Sequence, residues 1–217
     1  MRGLYPIVDV DSLRELGAPP RAVVAFAERV LLARPALLQL RAKHASTRDT
    51  LELLRALRPL CSEFGTRLIA NDRPDLAVLG RCDGVHIGQD DLPLPLVRLL
   101  APGLLVGVST HNLAQLSAAL AEKPDYVAFG PVFGTASKER ADPEVGLALL
   151  AQAHRAARSA GIPLVAIGGI TLERARQVAE YSELAAVIAA LHPDRKSLLG
   201  VTEAARALHA ALSEAEG

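Results

Sequence analysis

Aromatic side chains make up only 3% of the 217 residues, and tryptophan is absent. Half of the chain is nevertheless hydrophobic, so its core must be built from Leu, Val, Ile and Ala. Cysteine is almost as scarce. Cys61 and Cys82 lie far apart and in no metal-like spacing, which excludes a disulfide framework or a zinc ribbon and reads as a cytoplasmic protein with free thiols. Net charge is missing too: 24 basic and 24 acidic residues cancel, without the basic excess that nucleic acid selects. No apolar run reaches the roughly 18 residues of a membrane span, so no membrane partner is expected. Asp9 and Asp11 interrupt the first apolar stretch too early for a signal peptide. There is no Pro/Gly/Ser-rich linker and no low-complexity segment, so residues 1–217 read as one domain with a well-buried core.

What is present is alternation. Short runs suited to strands fall at residues 4–9, 36–41, 67–71, 83–87, 104–109, 125–130, 163–168 and 183–191. Between them lie Ala/Leu/Arg-rich helical stretches such as Pro20 to Ala33, Thr47 to Phe64 and Pro143 to Ala160, with Thr47 and Thr171 as candidate N-caps. The strand runs are apolar with little alternation, as expected of strands buried on both faces of a parallel sheet. Eight such units in this length predict an α/β fold, a single (β/α)8 TIM barrel; a doubly wound open sheet is the alternative.

The polar residues carry the functional signal. They gather at the C-terminal ends of the expected strands: Gln39, Arg41 and Lys43; Asn71 and Asp72; Gln89, Asp90 and Asp91; Ser109 and His111; Thr135, Ser137 and Lys138; Gly168 and Gly169. In a barrel these ends converge on one rim, where sites are built. Gln39, Arg41 and Lys43 alternate along a strand and so share one side. Two cations and an amide suit a phosphate or pyrophosphate, the guanidinium as a fork and the ammonium as a point charge. The competing reading is a solvated strand end. Asp72 and Asp91 end successive strands and suit Mg2+, which takes one or two carboxylates plus water and phosphate oxygens. Against that, Asp91 could cap the helix after Leu92–Pro93, and Asp72 could pair with Arg41 or Arg73. The segment 130–138, GPVFGTASK, offers glycines, hydroxyls and a lysine as a phosphate cradle, and Gly168–Gly169 opens a helix N-terminus beside it. Two separate anion sites imply two phosphorylated small-molecule substrates. His86, inside a strand, reads as packed. His111 is either an acid–base group or part of a helix cap with Asn112. His44, His154, His192 and His209 read as surface residues.

With QLRAK (39–43), AND (70–72), DGVHIGQDD (83–91), GVSTHN (107–112), GPVFGTASK (130–138) and AIGGI (166–170) in this order, the chain resembles the thiamine phosphate synthase family over nearly its whole length. The resemblance implies a transferase of thiamine biosynthesis. It would join hydroxymethylpyrimidine pyrophosphate to a thiazole phosphate, or its carboxylated form, and release pyrophosphate. Gln39, Leu40, Arg41, Ala42, Lys43, Asn71 and Lys138 would bind the pyrimidine pyrophosphate, with Arg41, Lys43 and Lys138 acting on the leaving group. Asp72 and Asp91 would hold Mg2+, and Ser109 would touch the pyrimidine. Thr135, Ala136, Ser137 and Gly168 would hold the thiazole phosphate, completed by Ile188 and Ala189. Two departures stand out. Ala189 occupies a place where the family commonly has serine, and Tyr181-Ser182-Glu183-Leu184 replaces a usual Gly-Ala-Asp-Gly. Rival readings are a thiazole tautomerase on the same barrel using His111, another phosphate-binding barrel such as an isomerase or aldolase, and a non-catalytic ligand-binding barrel.

Overall fold

The computed structural model describes residues 1–15, 20–134, 143–192 and 198–213. Eight strands close into a barrel in chain order, every neighbouring pair parallel. They are β1 (Gly3–Asp9), β2 (Leu37–Arg41), β3 (Arg67–Asn71), β4 (Gly84–Ile87), β5 (Leu105–Thr110), β6 (Tyr126–Phe129), β7 (Leu164–Ile167) and β8 (Leu184–Val187). Among the described residues the helices are α1 (Val10–Glu15), α2 (Pro20–Leu31), α3 (Thr47–Glu63), α4 (Pro74–Leu79), α5 (Leu94–Leu100), α6 (Leu113–Ala121), α7 (Gly146–Ser159), α8 (Leu172–Ala179) and α9 (Val201–Ser213). The closed order excludes the open sheet.

Closure puts two apolar layers back to back. Outward residues such as Leu38, Leu40, Val85, Val106 and Val127 pack beneath the helices. Inward ones, among them Ile7, Leu37, Ile69, Val165 and Leu184, fill the barrel. Aromatic scarcity has a visible consequence here. The interior holds two large rings, Tyr5 and Tyr126, packed edge to face at 5.8 Å. Gly107 faces Tyr126 across the β5–β6 register, and a Cβ there would overlap the phenol ring. A missing side chain on β5 thus makes room for the bulky one on β6.

The N-terminal rim is held by a repeated device. An acidic residue directly precedes β4, β6 and β8, and its carboxylate accepts a backbone N–H from the strand before. Asp83 takes Leu68 N at 2.7 Å, Asp125 takes Val106 N at 2.7 Å, and Glu183 takes Leu164 N at 2.8 Å. Arg58 adds an ion pair to Asp83, and Arg98 adds one to Asp125. Glu183 therefore does at β8 what aspartate does at β4 and β6. The Tyr181–Leu184 departure lies at this rim, away from the strand ends that carry the polar residues.

Several sequence expectations change in detail. The eighth strand ends at Val187, not residue 191; Ala189–Leu191 form a 3-10 turn. Ser46, not Thr47, caps α3, its side chain accepting Asp49 N at 3.1 Å. Thr171 does sit at the N-cap of α8, without a side-chain capping bond to the helix backbone. His154, His192 and His209 are half-buried rather than exposed: His192 stacks on Phe26 at 4.4 Å, and His209 Nδ1 accepts Leu4 N.

Candidate active site

The C-terminal rim collects the polar residues as their strand positions require. Gln39 and Arg41 project inward from β2, alternating with Leu40, whose side chain lies in the outer apolar layer with Ala42 packed against it. Neither Leu40 nor Ala42 turns its side chain to the barrel axis, so any part they play in a site there is through backbone. Both line a cavity of about 220 Å3 beside Lys43, Asn71 and Asp72, floored by Leu54, Ala70 and Leu76.

The two carboxylates meet. Asp72 is in the left-handed region at φ 61°, its N–H held by His86 O at 2.8 Å. That backbone turns its side chain toward Asp91. Asp91 Oδ2 accepts Gly88 N at 2.6 Å; it folds back on its own loop and does not cap α5, whose N-cap is Pro93. Lys43 Nζ stands 3.5 Å from Asp72 Oδ2, while Arg73 pairs with Asp75 and Arg41 with Asp9. Burial and the neighbouring Asp91 together push the Asp72 carboxyl up to about 6, against the pull of Lys43. Paired carboxylates that resist ionising together form a site short of positive charge. Among the described residues no third carboxylate, His or Cys completes a metal cluster. Two carboxylates with room for water and phosphate oxygens match Mg2+ chemistry better than a closed all-protein cage.

Below this rim runs a buried hydrogen-bonded chain. Gln39 Nε2 donates to Tyr5 OH (2.9 Å), which meets Tyr126 OH (2.8 Å). Tyr126 OH meets His86 Nδ1 (3.1 Å), and His86 Nε2 meets Ser109 Oγ (2.8 Å). Burial holds both phenols well above their ordinary range, so they stay protonated. With the Gln39 amide as donor at one end, one consistent sense has Tyr5 donating to Tyr126, Tyr126 to Nδ1, and Nε2–H to Ser109. His86 is packed, as its strand position suggested, and it also orients Ser109. Gln89 Nε2 steadies the same residue through Ser109 O at 2.6 Å.

Across the mouth, the loop after β6 lies on the loop after β7. Val132 N donates to Ile167 O and Phe133 N to Gly168 O. Gly168 and Gly169 have φ of 99° and 62°, and a Cβ on either would strike Pro131 or Phe133. Only glycine permits this approach. Arg174 pins it, lying 4.5 Å over the Phe133 ring and donating to Gly169 O. His111 shares the work: its Nδ1 meets Gly130 O at 2.7 Å, and its N–H donates to Gln115 Oε1, while Asn112 caps α6. Ile188 is half-buried and Ala189 exposed at the head of the 3-10 turn. Thr135, Ala136, Ser137 and Lys138 lie outside the described residues.

A barrel with its polar residues so arranged is matched by the family model for thiamine monophosphate synthase over residues 4–191. The chain belongs to the thiamine monophosphate synthase family. The thiamine-phosphate synthase of Chloroflexus aurantiacus is 40% identical over 213 residues, covering 97% of this chain and 92% of that protein. That of Chlorobium phaeovibrioides is 43% identical over 193 residues, covering 87% and 88%. Among solved structures, thiamine phosphate pyrophosphorylase from Pyrococcus furiosus superposes with a TM-score of 0.84 at 30% identity, covering 99% of this chain and 97% of that one. Among the described helices none is long and apolar enough to cross a membrane.

The residue that motif reading missed is Asp9. It closes β1, is 1% exposed, and contacts Arg41 directly. The signal for it was present in LYPIVD, where a charged residue ends an otherwise largely apolar strand at an inward-facing position, two residues after Ile7.

Proposed function

We infer that the chain couples hydroxymethylpyrimidine pyrophosphate to thiazole phosphate, in the plain or the carboxylated form, giving thiamine phosphate and pyrophosphate. The observation that carries this reading is the meeting of Lys43 with the Asp72–Asp91 pair at the rim where Arg41, held by Asp9, also ends its strand, in a chain of this family. Arg41 and Lys43 bind the pyrophosphate and take up the charge that develops as it leaves the pyrimidine methylene. Gln39 and Ser109, each anchored by the buried tyrosine–histidine chain, orient the pyrimidine ring. Asn71 closes the same side. The β6 and β7 loops hold the thiazole phosphate at Gly168, with Ile188 and Ala189 beneath. In this reading the thiazole nitrogen lies beside the cation left by the departing group, and positioning supplies much of the acceleration. The same reading gives Thr135, Ala136 and Ser137 to the thiazole phosphate and Lys138 to the leaving group.

Asp72 and Asp91 would hold Mg2+, which when bound adds electrostatic neutralisation of the pyrophosphate. No protein nucleophile is required. The two thiols are unsuited to be one, since burial pushes both up to about 12.

The test is direct. Incubation with both substrates and Mg2+ yields thiamine phosphate and equimolar pyrophosphate. EDTA stops the reaction, and Asp72→Ala or Asp91→Ala abolishes it in folded protein. No pyrophosphate release overturns the coupling assignment, and full activity in EDTA overturns the metal assignment.

A further inference from the structure

We propose that Asp9 is the positioning residue of Arg41, fixing its guanidinium in the orientation that receives the pyrophosphate. The inference rests on the coupling reading above and deepens it.

Asp9 ends β1 and faces inward, in register with Arg41 on the neighbouring strand. Parallel partners at the same register project to the same side, so the two side chains are adjacent by construction. The Asp9 carboxylate divides its oxygens. Oδ1 accepts the N–H groups of Asp11 (3.1 Å) and Ser12 (3.0 Å), in the first turn of α1, and Oδ2 accepts from Arg41 Nη1. The carboxylate is 1% exposed and the Arg41 side chain 17% exposed, so water competes little for either group. A buried carboxylate locked by two amides is a rigid anchor, and an arginine fork engaged at one end has few orientations left.

The neighbouring turn repeats the arrangement. Asp11 Oδ2 accepts Lys43 N (2.9 Å) and His44 N (3.3 Å), hanging the end of the QLRAK segment from the first turn of α1. The end of β1 and the start of α1 therefore set both cations at the end of β2, Asp9 holding Arg41 by its side chain and Asp11 holding Lys43 by its backbone. A carboxylate beside an anion-binding arginine opposes the anion electrostatically. Its placement here is explained by the orientation it imposes.

Asp9→Asn separates this role from simple helix capping. The asparagine oxygen still accepts from Asp11 and Ser12, but its NH2 now opposes the Arg41 N–H donors. The expected result is a fall in kcat/KM for the pyrimidine pyrophosphate of about tenfold to a hundredfold, the worth of one charge-assisted hydrogen bond. KM for thiazole phosphate changes little, and the melting temperature falls because Arg41 loses its counter-charge where water competes little. In an Arg41→Ala background the same substitution has no further effect, since the two residues act as one unit. Wild-type kinetics in Asp9→Asn, or losses that multiply in the double variant, overturn the proposal.

A measurement on the unaltered protein guards against a variant that does not fold. Nitrogen-15 spectra of Arg41 show hindered guanidinium rotation before any ligand is added, and inorganic pyrophosphate shifts those signals. Free rotation in the ligand-free protein overturns the proposal. An enzyme that makes thiamine phosphate, loses it in Arg41→Ala and ignores Asp9→Asn refutes Asp9 alone. A protein that releases no pyrophosphate refutes the coupling reading, while the Arg41 spectra still report on the positioning.

Discussion

Asp125→Ala separates the stabilising rim of the barrel from the working one. Asp125 Oδ2 accepts Val106 N at 2.7 Å and Arg98 Nη2 at 2.8 Å. Val106 is fully buried, so alanine deprives a strand N–H of its acceptor at a site that water, reaching the partly exposed Asp125 position, replaces only in part. An unsatisfied buried donor costs about 1–3 kcal/mol. The Arg98 pair adds little, about 0.2–1 kcal/mol, because its side chains are 37% and 30% exposed. The central expectation is a loss of about 2 kcal/mol, or roughly 4–8 °C in melting temperature for a chain of this size. Asp125→Asn keeps an oxygen for Val106 N and loses only the charge, so it costs under about 1 kcal/mol. Urea denaturation and thermal melts of both variants give the comparison. Specific activity per folded molecule stays at the wild-type level in each, since Asp125 lies at the end of the barrel opposite the candidate site. The reasoning fails if alanine is no worse than asparagine, or if either variant melts normally and loses activity.

The remaining predictions concern the working rim. Asp72 titrates near 6, raised first by burial and then by Asp91. Below that pH a proton occupies the metal ligand, so Mg2+ affinity measured by calorimetry weakens by about tenfold per pH unit and binding releases a proton. The sign for stability is opposite. Because its folded pKa exceeds the unfolded one, Asp72 stabilises the metal-free protein below about pH 4, and that contribution disappears as pH rises through 6. Arg41→Ala weakens pyrimidine-pyrophosphate binding by roughly 1.5–3 kcal/mol and leaves thiazole-phosphate binding intact; calorimetry showing the reverse would exchange the two anion sites. His111→Gln keeps a donor for Gly130 O, and coupling stays within about tenfold, because no general acid–base contribution of ~100-fold or more is lost. Exchange of the thiazole side-chain proton in deuterium oxide that needs His111, without coupled product, would instead mark a tautomerase.

What the sequence determined by itself is the architecture and the composition of the mouth. Strands buried on both faces carry near-continuous apolar runs, and the parallel order follows from the helices between them. Polar residues at the strand ends needed no coordinates to be placed at one rim. Local order was less legible where neighbouring choices are chemically alike. Ser46 and Thr47 are both good caps, and the run from Ala185 to Leu191 contains nothing that tells strand from 3-10 turn. Tertiary structure alone decided the pairings. Asp9 meets Arg41 across 32 residues and Tyr5 meets Tyr126 across 121. Asp72 could have paired with Arg41 or Arg73 on sequence grounds; its left-handed backbone and the register of β3 with β4 turn it to Asp91 and Lys43 instead. Periodicity states which face a side chain takes. Which partner it finds there depends on closure of the barrel, because closure sets the distances between residues remote in the chain.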